Sequence, residues 1–82
     1  MLLLATYASS HRALLAEKQV KAAGLEVELI PAPRQVRSNC GFCLLAEVED
    51  DGALLRASGA EGLWRAREPE PGQHRRTYEP HL

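Results

Sequence analysis

Leu2-Leu3-Leu4-Ala5-Thr6-Tyr7-Ala8-Ser9-Ser10-His11 decides how the chain begins to fold. Leu2 to Tyr7 is a largely apolar run that sends side chains to both faces of a sheet, as a central strand requires. A helix is expected to cover one face and a second subunit the other. The serines that follow can cap a helix by accepting from its first unpaired N–H groups. From His11 to Ala23, Ala13, Ala16, Val20 and Ala23 recur on one face, with Arg12, Glu17, Lys18 and Lys21 mostly elsewhere. Gly24 is a natural stop, because glycine takes the left-handed conformation without a Cβ clash.

Further along, Leu25 to Ile30 alternates apolar and acidic residues and reads as a second strand. Pro31-Ala32-Pro33 should end it, since proline gives no N–H to a sheet ladder. A loop to Gly41 follows, then a third strand from Phe42 to Glu49 with Phe42, Leu44, Ala46 and Val48 on one face. Asp50-Asp51-Gly52 reads as a turn, Ala53 to Ser58 as a short helix, and Gly62 to Arg67 as a last strand. The β-α-β-β-α-β order predicts an α/β (α+β) fold, a two-layer ferredoxin-like sandwich occupying residues 1–67. From Glu68 the chain turns polar and proline-bearing, so 68–82 is expected to be a flexible, disordered tail.

Length and charge narrow the function. A chain of 82 residues has room for one domain. Domains this small bury only ~60% of their unfolded surface, so a homodimer would be a natural source of extra stability. Ten basic residues against 11 acidic ones leave a net charge of −1. That balance argues against a nucleic-acid or membrane-surface partner. The apolar start lacks a basic flank and falls far short of the ~18 residues of a membrane span, so the cytoplasm is the expected compartment. There, the two cysteines should stay reduced, which favours reactivity or metal binding over a structural disulfide.

The expected topology puts the turn after the first strand and the loop before the third at one end of the sheet. Ser9, Ser10 and His11 should then lie near Arg34, Arg37 and Cys40, with the positive end of the first helix pointing at them. A partly exposed thiol in that setting favours the nucleophilic thiolate, which makes Cys40 the candidate catalytic group. Cys43 is a possible second thiol, since Cys-x-x-Cys also occurs in thiol oxidoreductases and zinc sites. In an extended strand, however, residues 40 and 43 are ~10 Å apart and face opposite ways. A disulfide needs Cα atoms within ~7 Å. Zinc would need two more ligands, and only His11 is expected nearby, so no metal or cofactor is assigned. Two alternatives stay open: a thiol-disulfide redox protein using Cys40 and Cys43, which needs Asn39 to Phe42 to turn as Gly41 permits, and a non-catalytic dimeric interaction module.

Tyr7-Ala8-Ser9-Ser10-His11-Arg12-Ala13-Leu14, Ala16-Glu17-Lys18, Ala23-Gly24-Leu25, Leu29-Ile30-Pro31-Ala32-Pro33-Arg34 and Ser38-Asn39-Cys40-Gly41 run in order along the chain. Together they resemble the selenium/sulfur (Se/S) carrier protein-like family, a group of short bacterial proteins. The resemblance covers roughly residues 2 to 50, and its Pro-x-Pro-Arg and Cys-Gly elements are the most specific part. It implies that Cys40 is the carrier thiol, holding a persulfide-type group, with His11 and Arg34 as neighbours; Arg37, Ser10 and Gly41 are supporting candidates by their expected place around that thiol. It also implies sulfur or selenium donor and acceptor proteins as partners.

Overall fold

The computed structural model describes residues 1–36 and 40–81. It is a mixed α+β protein with the element order β1 (Leu2–Thr6), α1 (Ser10–Ala22), β2 (Glu28–Pro31), β3 (Phe42–Glu47), α2 (Ala53–Ala57), β4 (Gly62–Arg67) and β5 (Thr77–Pro80). The strands form one antiparallel sheet in the order β2-β3-β1-β4-β5. The leucine-rich β1 therefore lies in the middle, between β3 and β4.

Strand alternation divides the core into two layers. Leu3, Ala5 and Tyr7 from β1 and the residue after it, with Leu44 and Ala46 from β3, face the helices. Ala13, Ala16 and Val20 of α1 and Leu55 of α2 close this layer. Small side chains at 13 and 16 let the helix approach the sheet. Leu4, Cys43, Leu45 and Ala66 form the second layer on the opposite face.

That second face corrects an expectation. A second subunit was expected as its cover, yet Leu4 and Cys43 are both 0% exposed within the single chain. The chain covers the face itself: Val36 packs into the layer, and Ala32 and Tyr78 pack against it. Gln35 Nε2 donates to the Arg76 carbonyl at 2.8 Å, tying the loop after β2 to the C-terminal segment.

The C-terminal segment is the second correction. Instead of a wholly disordered tail, Thr77–Pro80 pairs with β4 from Arg67↔Thr77 to Trp64↔Pro80. Arg67 and Glu79 add an ion pair at 3.0 Å across the two strands. Pro80 is tolerated because β5 is an edge strand. Strand β2 is also shorter than its alternation implies. Leu25 and Val27 pack against the helix-side core from outside the strand, and the Leu25 N–H donates to the Val20 carbonyl at the end of α1. At its other end β2 runs on into Pro31, paired with Phe42.

Tyr7 fastens β1 to α2. Ser58 Oγ donates to the Leu55 carbonyl at 2.7 Å, so the Tyr7 hydroxyl, 2.9 Å away, donates to Ser58. Burial raises the Tyr7 pKa above its ordinary 10.0; the Ser58 hydrogen bond works the other way, and charge on Cys43 adds to the rise. A raised native pKa means that the folded state holds its proton longer than the unfolded one. The stabilisation is full below about pH 10 and is lost as pH climbs through the folded value. Urea denaturation between pH 8 and 11.5 should show stability falling above about pH 10, with a shallower fall in Tyr7→Phe.

Candidate functional site

The candidate site lies where β3 and α1 begin. Ser9 is the N-cap of α1, with an extended backbone and an Oγ that accepts from the Arg12 N–H at 3.2 Å. This satisfies one of the donors that a helix start leaves open. Ser10, the next residue, brings its Oγ to 3.7 Å from Cys40 Sγ. The expected meeting of the β1–α1 turn with the loop before β3 is thus present at Ser10 and Cys40.

Cys40 is held closely by the backbone after it. Its thiol donates to the Phe42 carbonyl at 2.7 Å, and the Phe42 N–H donates to Sγ at 3.3 Å. One thiol proton cannot serve both oxygens near it. The proton sits on the shorter contact to Phe42, and Ser10 Oγ is the more distant acceptor at 3.7 Å. One backbone donor, the Phe42 N–H, thus reaches Sγ, and the Ser10 hydroxyl flanks it.

The site is less open than expected. Cys40 is only 4% exposed and belongs to the helix-side core cluster. Gly41 is exposed, and a Cβ there would stand 3.7 Å from Ser10 Oγ, an ordinary contact. Phe42 is 41% exposed, so an aromatic side chain flanks the buried sulfur at the surface.

The other predicted residues separate. His11 is exposed on the first turn of α1. Arg34 lines a groove on the other side of the sheet with the C-terminal segment. Arg37 lies outside the described residues. Cys43 is fully buried in the second-face cluster, whereas Cys40 packs on the helix side. The two thiols thus belong to opposite faces, and joining them would require rebuilding the start of β3. Among the described residues no group of three or more His, Cys, Asp or Glu side chains is placed to hold a metal ion. The backbone groups of Phe42 escaped sequence reasoning, because an N–H or a carbonyl carries no residue-type signal.

A family model described as "Putative Se/S carrier protein-like" matches residues 2–63. The chain belongs to that family. The match takes in everything from β1 to the first residues of β4, and it contains both the N-terminal turn of α1 and Cys40. The Se/S carrier-like region stops short of β5 and the segment leading to it. No curated protein and no solved structure matches the chain. No helix among the described residues is long and apolar enough to cross a membrane.

Proposed function

We propose that the chain carries sulfur or selenium as a persulfide-type group on Cys40 and passes it to a partner protein. The observation that supports this best is the placement of Cys40 Sγ, which accepts from the Phe42 N–H and lies 3.7 Å from the Ser10 hydroxyl at the start of α1. Loading is attack of the Cys40 thiolate on the outer sulfur of a donor persulfide. A bond forms from Sγ to that sulfur, the donor's own S–S bond breaks, and the donor leaves as a thiolate. Unloading repeats the exchange, with an acceptor thiolate attacking the outer sulfur and Cys40 as leaving group. No net oxidant is needed in either direction, since each step exchanges one S–S bond for another.

Once Sγ is bonded to a second sulfur it has no proton left for the Phe42 carbonyl. The Phe42 N–H remains as a donor to it. The β4-β1-β3-β2 part of the sheet reads as a ferredoxin-like core with β5 added at one edge, and its end beside α1 presents the loop. A donor has to open the cover over Cys40, and the exposed Gly41-Phe42 edge is where it would press. Incubation with a cysteine desulfurase and cysteine, under anaerobic conditions without reductant, should add one sulfur atom to the intact mass. A chain that gains no mass under those conditions is not a sulfur carrier.

A further inference from the structure

The strongest feature outside the Cys40 site is a groove of about 600 Å³ on the second face of the sheet. One wall is the loop after β2, and the other is the segment running from the end of β4 into β5. The apolar part of its lining includes Ile30, Pro33 and the ring of Tyr78. Its charge comes from Arg34 on the loop and from Arg75 and Arg76 on the C-terminal segment, with His74 beside them.

The charges do not balance. Among the described residues Glu68 is the one carboxylate on the lining, and it binds Arg76 Nε at 3.2 Å. Arg34 and Arg75, from opposite walls, have no carboxylate left to them among the described residues of the lining. The walls are held in place: Gln35 bonds the Arg76 carbonyl, and β5 bonds β4. The guanidinium groups are thus carried on two segments fixed to each other. Guanidinium forks match the paired oxygens of a phosphate or carboxylate, and several together favour a dianion over a monoanion. Clefts of roughly 300–1,000 Å³ suit small organic molecules.

We propose that this groove binds a small organic phosphomonoester, its phosphate between Arg34 and Arg75 and its apolar body against Tyr78 and Pro33. The site is independent of sulfur transfer, because Cys40 packs on the helix side of the sheet. It also lies half outside the family match, which includes Arg34 but ends at residue 63, before the second wall.

The test is titration of the ¹⁵N-labelled full chain with phenyl phosphate, followed by amide shifts at constant ionic strength. Saturable shifts should be confined to Gln35, Arg75, Arg76, Tyr78 and their neighbours. Inorganic phosphate and phenol, titrated separately, should each bind more weakly. Arg34→Ala and Arg75→Ala should each weaken phenyl phosphate by about tenfold, as expected for loss of a charge-assisted contact. Glu68→Gln should strengthen it by roughly threefold, because Arg76 then loses its competing anion. The spectra themselves report whether each variant is folded. Scattered or non-saturating shifts, phenol binding as tightly as phenyl phosphate, or a folded Arg34→Ala/Arg75→Ala double variant with unchanged affinity would each overturn the proposal.

Discussion

Gly52→Ala is expected to lower the unfolding free energy by about 2–4 kcal/mol, combining backbone strain with overpacking. Gly52 sits at φ +89° in the Asp50-Asp51-Gly52 turn, where its N–H donates to Asp50 Oδ1 at 2.8 Å. Any Cβ at that φ is strained by about 1–2 kcal/mol. It would also lie 2.8 Å from Leu3 Cδ1 and 3.1 Å from Leu63 Cδ1, two side chains of the helix-side core. Neither can move away freely, because both are packed within the same cluster. A domain of this size has only about 4–12 kcal/mol of stability in total, at 0.05–0.15 kcal/mol per residue. Gly59→Ala is the control. Gly59 has φ +96° but nothing within 4 Å of its missing Cβ, so only the backbone strain applies. Urea midpoints should place Gly52→Ala well below Gly59→Ala. Equal midpoints would mean that the turn does not press on the core as described.

The second large effect is functional, and it should divide the two cysteines. Cys40→Ser is expected to abolish sulfur loading, since it removes the thiol that meets the Phe42 N–H beside Ser10. Cys43→Ala is expected to retain loading and instead lose about 1–2 kcal/mol of stability, because removing a fully buried side-chain atom leaves a void in the second layer. A redox pair would behave differently, with either substitution ending activity. Parallel loading assays and urea curves on the two variants separate these outcomes. Loading that survives in Cys40→Ser, or that is lost in a folded Cys43→Ala, would contradict the carrier reading.

Much of the fold was readable where the local pattern and the tertiary context agree. Leu2 to Thr6, the serine cap, the Ala13-Ala16-Val20 stripe and Gly62 to Arg67 all announce their elements. The opposite facing of Cys40 and Cys43 followed from strand alternation alone. What escaped depends on distant partners. Thr77-Tyr78-Glu79-Pro80 has no strong periodicity and becomes a strand only because β4 offers a free edge. Leu25 and Val27 alternate like strand residues, yet their apolar side chains are used to close the core beyond α1. The loop from Ala32 to Val36 reads as surface connection, and nothing local says that Val36 will seal the second face. Burial of Cys40 was missed for the same reason: the hydrogen bonds that hold it come from the Phe42 backbone. Arg34, read as a neighbour of Cys40, belongs to the groove because that loop crosses the other face of the sheet.

The central claim is that Cys40 is the residue that bears the cargo. Its most direct test is fragmentation mass spectrometry of the peptide containing both cysteines, taken from chain loaded by a desulfurase and trapped by alkylation. Breaks at Gly41 and Phe42 separate the two thiols. The extra sulfur should be carried by fragments that contain Cys40 and be absent from those that contain only Cys43. An extra sulfur found on Cys43, or divided evenly between the two residues, would contradict the assignment.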